Sequence, residues 1–346
     1  MTKVFLLGAT GYLGGTILNR LITTHPNFSI TAIARTQEKA DKITATYPSV
    51  RTIVANLDSS DILISESSTA DIIITAADCD HPGHIKDIYE GMAKNTSGKP
   101  IYLIHSSGTA VLSDLSLAKA GEKEQSAALD KVWDDVGDFE GIRNLPAEQL
   151  HQNVDSLVRA PPLGRNPNIR YAIVCPPMIY GEGSGPVRRL NSLAPWLSEA
   201  ILKNGKGFTV GKGENSWSNV HIDDLTDLYI RLVGESLKEG GGRASWGQDG
   251  GWYFAENGRR TWGDIAREIT KIAHEKGYLR SEEVEALGVE KAKELNPVGP
   301  YAWGTNSLSR ASRARKELGW APHGESLGET ILGDVNIAAK RLGIST

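Results

Sequence analysis

The chain has 346 residues, enough to bury a large core either as one domain or as two lobes. Its net charge of −4 lacks the strongly basic footprint of a nucleic-acid binder, and no stretch approaches the ~18 apolar residues of a membrane helix. The two cysteines, Cys79 and Cys175, lie far apart and form neither a metal nor a redox spacing. They read as small buried hydrophobes in a reducing, cytoplasmic setting, and no metal is expected.

Lys3-Val4-Phe5-Leu6-Leu7 is an apolar run of strand length, broken too early by glycine for a secretory signal. It enters Gly8-Ala9-Thr10-Gly11-Tyr12-Leu13-Gly14-Gly15, and a run with helical spacing, Thr16 to Ile22, follows. Strand, glycine-rich turn and helix present a helix N-terminus to a phosphate. In this pattern Gly8 makes the turn, Gly11 lets a pyrophosphate approach the backbone, and Gly14 lets helix and strand pack closely. Thr10, Tyr12 and Leu13 complete the expected cofactor loop.

The helix stops near Thr24-His25-Pro26, and Ser29 to Arg35 is the second strand. Its end is where a dinucleotide fold reads the ribose. An acidic residue there suits NAD. This chain has Arg35 and Thr36, a cation and a hydroxyl that suit the 2′-phosphate of NADP, so NADP is preferred over NAD. Thr52 to Ala55 is a third strand, and Asp58 beyond it either touches the adenine or caps the next helix. Asp71 to Asp78 is a fourth strand with its exit, where the small Ala76 and Ala77 let a cofactor lie close. Ile101 to Thr109 is a fifth, ending in hydroxyls, and Ile169 to Cys175 a sixth. This alternation predicts an α/β fold with a doubly wound parallel sheet.

The polar stretch from Ala118 to Leu145 is either a loop over the site or a surface excursion. Smaller units follow. Leu190 to Lys203 and Asp223 to Leu237 read as helices, with a short strand at Phe208 to Val210. After a strand at Trp252 to Ala255, Thr261 caps a helix over Trp262 to Lys276, and Ser281 caps another to Leu287. Pro297-Val298-Gly299-Pro300 reads as a stiff loop.

These residues resemble the extended branch of the short-chain dehydrogenase/reductase superfamily, of the NAD-dependent epimerase/dehydratase kind. The glycine turn is similar to that branch's T-G-x-x-G-x-x-G. Ser106-Ser107 sits where the family carries its catalytic serine, and Pro176-Pro177-Met178-Ile179-Tyr180-Gly181 resembles the turn behind the nicotinamide. Val220-His221-Ile222-Asp223-Asp224 and Leu318-Gly319-Trp320-Ala321-Pro322 are similar to two later family segments. The resemblance implies a Rossmann domain over residues 1–180, with returning segments near 208–235 and 250–258. A smaller C-terminal α/β substrate lobe then occupies most of 181–346. It also implies that Pro176 and Met178 face the cofactor.

The chain departs from the family in two places. The family's active helix carries Tyr-x-x-x-Lys, and no such pair lies between Ser106 and the sixth strand. His151 and Asp155 fall at those positions, spaced to share one helix face, where the carboxylate would raise the imidazole pKa and leave a proton donor near neutral pH. Family members that use nucleotide sugars place an Arg three residues before the Val-His segment; here the residue is Trp217. The expectation is hydride transfer to or from a small aldehyde, ketone or alcohol, not a nucleotide sugar. Ser106 or Ser107 holds the oxygen, His151 handles the proton, and Trp196, Trp217, Trp246 and Trp303 are available for an apolar pocket. The alternatives are an epimerase or dehydratase with the same parts, or a non-catalytic sensor of NADP(H). The expected partner is a small molecule, with no nucleic acid or membrane, and the chain is a monomer or homodimer.

Overall fold

The computed structural model describes residues 1–114, 131–162, 164, 166–190 and 193–344. The strands, in chain order, are β1 (Lys3–Leu7), β2 (Ser29–Ala34), β3 (Arg51–Val54), β4 (Ile72–Thr75), β5 (Ile101–Ser106), β6 (Trp133–Asp134), β7 (Ile169–Cys175), β8 (Met178–Tyr180), β9 (Gly207–Val210), β10 (Ser216–His221), β11 (Trp252–Phe254), β12 (Arg259–Thr261), β13 (Val284–Leu287) and β14 (Ser309–Arg310). Seven of them form one parallel sheet in the order β11-β7-β5-β4-β1-β2-β3. The chain winds outward from β1 to β3, then returns to β4 and winds the other way. Strand order therefore reverses between β1 and β4, and the crevice for a ligand opens at their carboxyl ends.

The central strands are largely apolar because helices cover both faces of such a sheet. Ile72, Ile73 and Ile74 are buried, each worth about 1.5–3 kcal/mol relative to exposure. Helix Tyr12–Thr24 packs against helix Ile222–Ser236, and helix Ser60–Thr69 against Pro82–Lys94. No helix among the described residues is long and apolar enough to cross a membrane.

The buried apolar side chains form two clusters. The first surrounds the large sheet and includes Val220 to Val233, Trp252 to Ala255, and Ala311, Ala314, Leu318 and Trp320. The second gathers Met178, Tyr180, Phe208, Val210, Trp217, Trp262, Trp303 and the last helix, Leu327–Arg341. The near-terminal Leu-Gly-Trp segment is a clasp: Trp320 Nε1 donates to Asp224 O at 2.8 Å, and the buried Asp224 carboxylate accepts from His323 N at 2.8 Å.

Three local expectations need correction. Residues 284–287 form β13, paired in parallel with β9, where a helix was expected from Ser281. Gly299–Gly304 is a short helix with Pro300 in its first turn, where Pro is tolerated, not a stiff loop. Much of the polar stretch from Ala118 lies outside the described residues, but its remainder is built into the fold. There β6 pairs with β14, and the buried Asp135 accepts from Phe254 N at 2.9 Å and Arg313 N at 2.8 Å.

Candidate functional site

A cavity of ≈ 330 Å³ lies at the sheet's reversal point, walled by Gly8, Thr10, Gly11, Tyr12, Arg35, Ala76 and Ala77 with Ile33, Ala55, Asn56, Leu57, Asp78 and Arg188. Gly8 is held at φ +91°, and a Cβ there would sit 2.1 Å from Ala76 O. A Cβ on Gly14 would sit 2.2 Å from Gly8 O. A Cβ on Gly11 would press on Gly8 O at 3.1 Å, a contact a few tenths of an ångström too tight, and would meet nothing else within 4 Å. Helix Tyr12–Thr24 begins at Gly11 with no side chain capping it. Its first N–H groups and its dipole suit a phosphate in this cleft. Tyr12 Oη donates to Gly181 O at 2.7 Å, fastening the segment that carries Arg188 onto the glycine turn. The cradle fits a dinucleotide: bare backbone at the helix start, small Ala76 and Ala77, and the exposed Arg35 at the ribose end.

Other expected contacts lie elsewhere. Thr36 caps helix Gln37–Thr46 by accepting from Lys39 N. Leu13 packs against the core beneath the turn. Asp58 neither lines the cleft nor caps a helix; its Oδ1 is 2.9 Å from His81 Nε2, and helix Ser60–Thr69 starts from Ser59. Pro176 and Met178 are buried and are not among the walls of the cleft. Pro176 O accepts from Thr109 N, and Met178 belongs to the second cluster. The tryptophans pack: Trp217 Nε1 donates to Thr305 O, Trp246 sits edge-on to Tyr102, Trp303 is buried against Phe208, and Trp196 lies against the second cluster.

The two serines at the end of β5 differ. Ser106 Oγ is 2.7 Å from Tyr229 Oη, in a buried pair. Ser107 Oγ donates to Asp155 Oδ2 at 2.8 Å. In the β4–β5 register Thr75 faces His105, so Ser107 lies one strand across from the cleft residue Ala77. Burial pushes the Asp155 carboxyl up to about 7, against the hydrogen bond from Ser107 and the charges of His151 and Arg159. Behind it stands His105, fully buried, which burial lowers to about 3 and so keeps neutral. His105 Nδ1 is 2.6 Å from Thr75 Oγ1, and its Nε2 is 3.8 Å from Asp155 Oδ1, too long for a hydrogen bond.

The expected His151–Asp155 couple does not form. His151 precedes helix Gln152–Val158 in left-handed backbone, φ 68°, the one non-glycine with positive φ among the described residues. The same-face rule holds only when both residues are helical. Asp155 turns to Ser107, while His151 Nδ1 lies 2.9 Å from Asp80 Oδ1 and 3.3 Å from Cys79 Sγ. Burial alone would lower the imidazole pKa, but Asp80 and Cys79 raise it to about 10. Cys79, expected to be buried, is only partly so, whereas Cys175 is fully buried.

Sequence reasoning missed Asn56, Asp78, Arg188, Asp80 and His105. The signal for His105 was a titratable side chain in an otherwise apolar strand, directly before the serines.

Fold and cleft together define an NAD(P)-binding Rossmann protein with an oxidoreductase-like fold. The semialdehyde dehydrogenase NAD-binding domain family matches residues 3–95. The oxidase ucsJ of an Acremonium species is 31% identical over 350 residues, covering 99% of both chains. This chain belongs to the family of that oxidase. Its fold is that of the extended short-chain dehydrogenases/reductases. The UDP-glucose 4-epimerase of Thermotoga maritima superposes with a TM-score of 0.65 at 14% identity, covering 99% of this chain and 100% of that one. Yeast methylglyoxal/isovaleraldehyde reductase, complexed with NADPH, superposes at 0.60 and 15% identity, covering 99% of each.

Proposed function

We propose that the protein is an NADP-preferring oxidoreductase acting on a small carbonyl or alcohol, with Ser107 and Asp155 as its proton-handling pair. The observation that carries this reading is the buried Ser107–Asp155 hydrogen bond beside the cleft wall at the ends of β4 and β5. The bound cofactor supplies or accepts the hydride.

Ser107 holds the substrate oxygen by hydrogen bonding. With Asp155 ionised, the Ser107 hydroxyl points to its carboxylate. With Asp155 protonated, the carboxyl donates to Ser107 Oγ and the serine proton turns to the substrate oxygen. A carboxyl held near 7 can occupy either state at neutral pH, which is what a general acid and base requires. This moves the proton reservoir from His151, whose affinity for its proton is too high, to Asp155. Arg35 favours the 2′-phosphate of NADP. Trp217, buried with its N–H on Thr305, offers nothing to a substrate diphosphate.

The test is turnover on a panel of aldehydes and ketones. Ser107→Ala should lower it by ~10²-fold. Ser106→Ala, which removes a partner only from Tyr229, should cost stability and leave turnover close to that of the unmodified chain. Equal loss in both variants would overturn the assignment.

A further inference from the structure

We infer that Cys79, Asp80 and His151 bind a zinc-type divalent cation through three protein ligands, leaving the fourth position to water. One donor atom from each lies within 4.8 Å of the other two. The separations approach the edges of a coordination tetrahedron. Metal–ligand bonds of about 2.0–2.3 Å give a sulfur–nitrogen edge of about 3.5 Å and a nitrogen–oxygen edge of about 3.3 Å. The observed distances are 3.3 Å for Sγ to Nδ1 and 2.9 Å for Nδ1 to Oδ1, so along these two edges a few tenths of an ångström of expansion suffices, and the third edge, sulfur to carboxylate, lies within 4.8 Å.

The same atoms could suggest a cysteine nucleophile with a histidine base and an acidic orienter. That device places the nucleophile and the orienter on opposite nitrogens of the ring, so that each holds its own hydrogen bond. Here thiol and carboxylate converge on the same Nδ1. One nitrogen cannot serve both in a relay, but convergence on one point is the arrangement of a coordination sphere. The donor set also has the right charge and softness. A thiolate and a carboxylate neutralise a dication, and a thiolate with an imidazole selects zinc over magnesium or calcium.

The surrounding fold holds the set in place. Asn153 Nδ2 donates to Asp80 O at 3.0 Å and ties the two segments together. Gly108 leaves room for the ring, since a Cβ there would lie 3.2 Å from His151 Nε2. The left-handed backbone at His151 is a strained conformation for a non-glycine residue, of the kind found where geometry is imposed. Asp80 is half exposed, so solvent reaches the fourth position. Metal binding at these three side chains is independent of hydride transfer.

Cobalt(II) serves as the probe, added to the untagged full chain after chelation. One equivalent per chain is expected, with a thiolate-to-cobalt charge-transfer band. Cys79→Ser should lose the band, and His151→Gln should weaken binding by ~10²-fold or more, since loss of a mere outer-shell partner already approaches that scale; retained dinucleotide binding shows that each is folded. Alkylation of the unmodified chain needs no variant. Zinc should protect Cys79 from iodoacetamide, while the buried Cys175 stays unreactive with or without metal. Binding below one equivalent, a band that survives Cys79→Ser, or alkylation of Cys79 at the same rate with zinc would each overturn the site.

Discussion

Asp155→Asn should make the protein more stable near pH 8 and less active. The Asp155 carboxyl is raised from 3.8 to about 7 by burial. A group raised in this way binds its proton more tightly in the folded chain than in the unfolded one. Its contribution is therefore fully present below about pH 4 and lost as pH rises through about 7. About 3 pKa units at 1.36 kcal/mol each set an upper limit on the order of 4 kcal/mol. Asn keeps an acceptor for Ser107 Oγ and cannot ionise. The two chains should match near pH 4 and diverge toward pH 8, with the variant more stable. Asp135, also raised by burial, is common to both and drops out of the difference. Urea denaturation at the two pH values reads the stability. Turnover should fall by ~10²-fold, the usual scale for a lost general acid. Parallel pH–stability curves, or a variant less stable near pH 8, would refute the reasoning.

Gly11→Val should fold after a small shift of the Gly8 carbonyl and lose dinucleotide binding, because its side chain would stand in the cleft at the helix start; unchanged affinity by calorimetry would remove the cofactor cleft. NADP should bind more tightly than NAD, and Arg35→Asp should reverse the order; equal affinities in the unmodified chain would count against Arg35 as the reader of the 2′-phosphate. Tyr12→Phe should cost ~1 kcal/mol in urea denaturation through loss of the bond to Gly181 O, and no change would mean that water replaces it fully.

The glycine turn and the parallel strands were legible because strand length, glycine position and helical spacing agree locally. The span Ile169 to Cys175 was read with its observed limits. Residues 284–287 were misread because Val-Glu-Ala-Leu suits a helix, and only pairing with β9, distant in sequence, makes it a strand. The candidate site was half legible. Ser107 and Asp155 were both singled out, yet their bond to each other was not, since spacing along one helix says nothing about a strand end packed beside it. His151 was paired with the wrong carboxylate because nothing in its neighbours announces a left-handed backbone in a non-glycine residue.

One edge strand of the large sheet, β11, reaches it only after the chain has built β8, β9 and β10 elsewhere. A fragment ending after Tyr180 would hold every strand that borders the cofactor crevice and still lack this cover. Its β7, whose last five residues are buried, would then present a bare row of amide and carbonyl groups to any other chain. A fragment cut there should therefore fail as a portable cassette. Gene fragments, domain transplants and split reporters cut at that point should precipitate, and during synthesis the sheet stays open to misassembly until Phe254 has arrived to meet Asp135.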